Sequence, residues 1–241
     1  MKKALLLMAL FAGSLLSANA QSADNVKAFV KSGTQKQLAI MLKNDVDYTA
    51  FQMTIKLPST MSFTDDAPEL SARQDASHQL KYNKVDAQTM KVVAFSADKL
   101  EGTPTTGNLA FKNDRNVLLL VGVAFDGDYR DKTFDVSTIT LQDVEFVKLT
   151  GLEANKDLTV KTSGKLGDGN NDNQVNVADI VAVANYINLS PASNFDLDAA
   201  NVNLDIQVNV ADIVGIANVI NDATSSSRSD VPTPRQELDP Q

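Results

Sequence analysis

The chain has 241 residues with no cysteine, no tryptophan and one histidine, and its 22 basic against 30 acidic side chains give a formal charge of −8. Such a surface repels phosphates and suits cations, and no basic stripe is present to release counterions, so nucleic acid is excluded as a partner. An exported chain without disulfides must draw its stability from core packing and from bound metal.

Export is what the first element implies. Lys2 and Lys3, an apolar run from Ala4 to Leu16 and Ala18-Asn19-Ala20 before Gln21 form the basic, apolar and small-residue regions of a signal peptide over residues 1–20. Its removal takes away two lysines and no acids, leaving 20 bases against 30 acids and a charge of −10. No cysteine follows to carry a lipid, and no later apolar run is long enough to span a bilayer. The mature product is expected to be secreted, in the extracellular space or the periplasm.

From residue 21 to about 163 the pattern has period two. It is clearest at Phe51, Met53, Ile55 and Leu57, which alternate with Gln52, Thr54 and Lys56, as in a half-buried strand. Further strands are expected at Val26 to Val30, Leu38 to Leu42, Met90 to Phe95, Val117 to Phe125, Val136 to Leu141 and Val144 to Val147, each bounded by turn residues. Short strands without a long helix predict an all-β sandwich. Val117 to Val121 is almost continuously apolar and is expected to run centrally, covered on both faces.

After Thr162 the composition shifts to Asn and Asp and the periodicity becomes helical, which predicts a second, all-α domain over residues 164–222. The boundary, Thr162 to Leu166, is short enough to hold the two domains close together. Within the second domain Gln174-Val-Asn-Val-Ala-Asp-Ile-Val181 recurs letter for letter as Gln207 to Val214, 33 residues on. Each copy follows a loop with oxygen-bearing side chains at alternate positions. In the first they are Asp168, Asn170, Asp172, the carbonyl of Gln174, Asn176 and, at position twelve, Asp179. In the second they are Asn201, Asn203, Asp205, the carbonyl of Gln207, Asn209 and Asp212. Calcium takes six or more oxygens from this spacing in a loop that leads into a helix. Asn/Asp-rich loops before helices are also commonly turns and caps, but two loops in one register favour metal. The second has one carboxylate fewer, and Ile206 stands where the loop turns sharply, a place that Asn173 tolerates and a β-branched residue does not. Two Ca²⁺ sites are expected, the second weaker or distorted.

The helices that follow are apolar on too many sides. Ile180, Val183, Ala184 and Ile187 share one face, as do Ile213, Ile216, Ala217 and Ile220, and these stripes are expected to pack on each other. The opposite face holds Val177, Ala178, Val181, Ala182 and Asn185 in the first helix and Val210, Ala211, Val214, Gly215 and Asn218 in the second. Small and smooth, it suits a partner protein or the chain's own β-domain. Residues 223–241, with Ser225 to Ser227 and three prolines, read as a disordered tail.

On these residues the segment 165–222 resembles a type I dockerin, whose two calcium loops each lead into a helix. Asp168, Asn170, Asp172, Val175-Asn176 and Asp179 match the family pattern, as do Asn203, Asp205, Val208-Asn209 and Asp212; Asn201 departs from the usual Asp, and Asn173 and Ile206 from Gly. The resemblance implies a partner of the cohesin type, met at positions ten and eleven of each loop. These are Val177-Ala178 and Val210-Ala211 in place of hydroxyl-bearing residues, which implies a different specificity; their repetition keeps a pseudo-twofold symmetry with two binding orientations. Tyr48 to Pro58, Val92 to Ser96 and Val117 to Phe125 look like a cohesin-like jelly roll, a fold close to carbohydrate-binding modules.

No catalytic residue is expected. His78, in a polar stretch, reads as a solvated loop residue, and Asp65-Asp66 and Asp126 with Asp128 read as turns. The reading is a secreted, non-catalytic, calcium-dependent assembly protein, set among polysaccharide-degrading machinery by the resemblance. The partner is a cohesin-like domain of another chain or the chain's own β-domain. The alternative is a carbohydrate-binding module, for which Tyr82 and Tyr129 are the exposed aromatic candidates, Tyr48 and Tyr186 being the other tyrosines.

Overall fold

The computed structural model describes residues 24–33, 35–71, 78–96, 115–205 and 207–226. The expected signal peptide, Ile206 and residues 227–241 of the expected tail lie outside the described residues. In chain order the elements are β1 (Asn25–Lys31), β2 (Gln37–Lys43), β3 (Tyr48–Lys56), β4 (Met61–Phe63), β5 (Glu69–Leu70), β6 (His78–Lys84) and β7 (Thr89–Ser96). There follow β8 (Arg115–Phe125), β9 (Thr140–Lys148), β10 (Thr159–Val160), β11 (Gly164–Lys165), α1 (Val177–Ile187), α2 (Leu197–Ala200) and α3 (Val210–Ser226).

The strands form two sheets. One runs β10-β1-β2-β8-β4, with β11 also paired to β1 and β5 to β8; the other runs β6-β7-β3-β9. Alternation sets what lies between them. Val26, Ala28 and Val30 of β1, Leu38, Ile40 and Leu42 of β2, and Leu119, Val121 and Val123 of β8 point inward from the first sheet. Phe51, Met53 and Ile55 of β3, Met90, Val92 and Ala94 of β7, and Phe146 of β9 join the same core from the second. Phe146 anchors it, fully buried with its ring 5.4 Å from Phe51 and 5.1 Å from Tyr48.

The outer face of the first sheet is also apolar in part. Phe29, Ala39, Met41 and Val117 point away from the sandwich core and are buried against Leu166 and Ala199 from the C-terminal segment, with Leu120 and Leu204 packed alongside. β8 is therefore covered on both faces, which is why its sequence lacks clean alternation. The short boundary is itself part of the sheet: β10 and β11 both run parallel to β1, at Asn25↔Thr159 and Phe29↔Gly164.

Three expectations need correcting. Val136 to Leu141 is not a strand: Val136 and Ile139 are buried anchors of a turn in which Ile139 N–H donates to the Val136 carbonyl at 3.0 Å, and β9 starts at Thr140. His78 is not in a solvated loop; it opens β6 and is buried. The last helix continues beyond residue 222, to Ser226. Among the described residues no helix is long and apolar enough to cross a membrane.

A buried polar latch closes the start of the sandwich. Asp24 accepts hydrogen bonds from the Tyr48 hydroxyl, from Asn155 Nδ2 at 3.2 Å and from the backbone N–H of Asp45 at 2.6 Å, and Asn155 also donates to the Tyr48 hydroxyl. Burial, then the Asp24 carboxylate, push the Tyr48 hydroxyl well above the usual phenol range, so it stays a donor. Phe146→Ala should cost about 3–5 kcal/mol by opening a cavity between the sheets; denaturant unfolding of the whole chain measures it.

Candidate metal loops and interaction face

The repeat is visible in three dimensions as two loops closed in the same way. Asp179 is fully buried, and its two carboxylate oxygens accept from Asn170 N–H at 3.1 Å and Asn176 N–H at 2.8 Å. Asp212, also fully buried, accepts from Asn203 N–H at 3.4 Å and Asn209 N–H at 2.9 Å. Each acid thus reaches the backbone of positions three and nine of its own loop. The position-nine Asn caps the helix, Asn176 to Ala178 N–H at 2.7 Å and Asn209 to Ala211 N–H at 2.8 Å. Capping alone needs only the position-nine contact; the reach back to position three closes the loop as well.

The sharp turns use left-handed backbone. Asn171 at φ +57° and Asn173 at +66° supply it in the first loop, and Leu204 at +61° repeats Asn171 in the second. Asn tolerates this region and Leu does so at a cost. The side chain of Leu204 packs against the Phe29 and Val117 cluster. Gly167, at φ +100°, enters the first loop so close to Val175 that a Cβ there would lie 2.9 Å from its side chain, and its N–H donates to the Ala199 carbonyl at 2.7 Å.

The expected ligand positions are brought together, but unequally. In the first loop Asp168 is buried and Asn170, Asp172, Gln174 and Asn176 are half-buried. In the second Asn201 is buried, Asn209 half-buried, and Asn203, Asp205 and Gln207 are exposed. Asp168 accepts from Asp172 N–H at 3.0 Å and Asn173 N–H at 2.8 Å. Its counterpart Asn201 donates to the Asp205 carbonyl, while its buried Oδ1 has no hydrogen-bond partner among the described residues. An unmatched buried oxygen costs about 1–3 kcal/mol unless something meets it, and a cation would. Among the described residues no three acidic or imidazole side chains converge as a cluster, so a metal here depends also on Asn side-chain oxygens and a backbone carbonyl.

Inside, Val183 and Ile216 are fully buried between α1 and α3, with Val175, Ala200 and Val202 beside them. Ile187, expected in the same stripe, is instead 38% exposed at the last residue of α1. On the opposite side Val177 and Val210 are 63% and 62% exposed, and Val181 and Val214 52% and 54%. Ala178, Asn185, Ala211 and Asn218 are exposed around them, and Ala182 and Gly215 are half-buried. Among the described residues the sandwich does not cover this face. It holds the helical unit elsewhere, through a Lys27–Asp196 ion pair at 2.5 Å, Val175 N–H on the Arg130 carbonyl at 3.1 Å, and Arg130 Nη1 on the Ile220 carbonyl at 2.7 Å.

Of the two candidate sugar-binding tyrosines, Tyr82 is 48% exposed on β6. Tyr129 is buried, its hydroxyl lying between the carbonyls of Val30 and Leu166, so it cannot stack on a sugar. Sequence reasoning missed Lys165, Arg130 and Leu204, which join the two parts of the chain. The signal for Lys165 was its being the one basic side chain in residues 164–222.

No family model and no curated protein matches the chain. Among solved structures it is similar to a Clostridium thermocellum type I cohesin-dockerin complex, at 17% identity over 58% of this chain and 90% of that one, TM-score 0.43. It is also similar to a non-cellulosomal cohesin from Archaeoglobus fulgidus, at 13% over 58% and 87%, TM-score 0.40. A type I cohesin from Pseudobacteroides cellulosolvens is similar at 9% over 59% and 90%, TM-score 0.42.

Burial, reinforced by the neighbouring acids of the loop, raises the Asp179 carboxyl to about 6, and burial raises Asp168 also. A carboxyl raised on folding binds its proton more tightly when folded. Its burden on stability is therefore full above the folded value and is relieved as pH falls towards the unfolded one. In a chelator, the helical unit should become more stable between about pH 7 and pH 4, by on the order of 2–3 kcal/mol for Asp179. Asp179→Asn should flatten that dependence, measured by thermal unfolding at stepped pH.

Proposed function

We propose that the C-terminal unit is a calcium-scaffolded helical pair of the dockerin type that presents a paired Val-Ala face to a partner protein, within an exported assembly that acts on polysaccharides. The observation that carries this is the matched exposure of Val177 with Val210 and of Val181 with Val214, on helices whose inward residues Val183 and Ile216 are fully buried. A smooth apolar patch repeated about a pseudo-twofold axis suits a protein surface. It offers neither the stacking platform nor the convergent polar groups of a small-molecule site.

In this reading metal is the scaffold and the helices are the function. Asp168, Asn170, Asp172, the Gln174 carbonyl, Asn176 and Asp179 would hold the first Ca²⁺, and Asn201, Asn203, Asp205, the Gln207 carbonyl, Asn209 and Asp212 the second. The cation would neutralise the buried acids and fix both helix starts. The buried Asn201 Oδ1, unmatched among the described residues, supports a second site despite its missing carboxylate. The partner is a sandwich domain of the cohesin type in another chain, and the apolar positions ten and eleven give it a specificity distinct from hydroxyl-bearing surfaces. The chain is exported and non-catalytic. Sugar binding is the weaker reading, since of its two candidate tyrosines Tyr129 is buried and only Tyr82 is exposed.

Calorimetry of the mature chain should show calcium binding in two steps, the first tighter. Immobilised in calcium, the chain should capture a sandwich-domain protein from the culture medium of its source, and Val181→Asp with Val214→Asp should abolish capture without altering calcium binding. Absence of calcium binding at millimolar concentration, or capture indifferent to both substitutions, contradicts the reading.

A further inference from the structure

We propose that Arg130 and Lys165 are positioning residues for the first calcium loop, so that the sandwich holds this loop in its binding shape and leaves the second to order itself. The proposal rests on the calcium reading above, and it explains a difference between the loops that their ligand lists explain only in part.

The contacts fall on one stretch of the first loop. Lys165, 1% exposed, donates from Nζ to the Asn173 carbonyl at 2.8 Å and to the Asp131 carbonyl at 2.7 Å, with the Phe134 ring 5.7 Å away. Asn173 Nδ2 donates to the Lys132 carbonyl at 3.0 Å, and Val175 N–H to the Arg130 carbonyl at 3.1 Å. Asn173 and Val175 are positions six and eight. They flank Gln174, whose carbonyl is the one main-chain ligand expected of the loop.

Arg130 is fixed in turn. Its Nη2 and Nε meet the Asp128 carboxylate at 2.7 and 2.9 Å, and Nη1 reaches the Ile220 carbonyl of α3 at 2.7 Å. Residues 128–134 of the sandwich thus grip the turn of the first loop and α3 at once.

Among the described residues the second loop has no such grip. Thirty-three residues after Lys165 stands Asp198, an acid in place of the lysine. Among the described residues no hydrogen bond joins 203–205 or 207–209 to the sandwich, which this loop meets through apolar Leu204. Ordering a loop at the moment of binding lowers affinity, whereas a loop already held avoids that cost. Outer-shell partners of a metal ligand are commonly worth 10–100-fold in affinity.

The test is a calcium titration of the isotope-labelled mature chain, following the amide signals of residues 169–176 and 203–209 separately by NMR. Lys165→Met keeps the apolar stem and removes the donors; it should weaken the first site about tenfold and the second less than twofold. Arg130→Ala, at a half-buried side chain, should act in the same direction if Lys165→Met fails to fold. Equal loss at both sites, or no loss at either, overturns the proposal while leaving the calcium reading intact. If the unaltered chain binds calcium at neither loop, both fall.

Discussion

The outer face of the larger sheet has to be covered. Phe29, Ala39, Met41 and Val117 project from it together, and water-exposed they would form an apolar patch on a sheet whose other face already lines the core. Leu166, Ala199 and Leu204 supply the cover. Because all three come from the segment that carries the repeated loops, covering the sheet also fixes where those loops sit. The joint is polar at its margins, with Lys27 on Asp196, Lys165 on two carbonyls and Arg130 on the end of α3. On α1 and α3 the side with Val177, Val181, Val210 and Val214 remains exposed.

The two loops show how one sequence motif can sit in two environments. Their octapeptides are identical, and the buried Asp179 and Asp212 close their loops through equivalent backbone groups. Around that common frame the first loop is more buried, richer in carboxylates and tied to the sandwich, whereas the second is more exposed and keeps an Asn201 oxygen unmatched among the described residues. The pseudo-twofold symmetry therefore holds for the helix faces and fails for the loops. The sandwich meets the first loop and the end of α3 through hydrogen bonds and the second loop through apolar Leu204.

The sandwich was legible where burial is one-sided. Phe51, Met53 and Ile55 announced β3 by alternation, and the unbroken run at Val117 to Val121 announced a strand covered twice. Val136 misled because a turn can bury two apolar residues as a strand does, here pinned by Ile139 N–H on the Val136 carbonyl and Ser137 N–H on Asp135. His78 and Tyr129 misled because polar neighbours in sequence say little about an edge strand or a hydroxyl placed between two buried carbonyls. Spacing picked out the position-twelve acids as metal ligands, but not the backbone N–H groups through which they close their loops. Nor did it pick out the contacts of Lys165 and Arg130, because they join residues whose proximity is set by the sheet and not by the chain.

The central claim is that calcium holds the loop-helix repeats in shape while the sandwich stands without it. Hydrogen exchange at the backbone amides of Asn170, Asn176, Asn203 and Asn209, with calcium and with chelator, tests it most directly. The account predicts strong protection of all four in calcium and its loss in chelator, with the amides of β3 and β7 protected in both. Equal protection of the four amides under both conditions would contradict it.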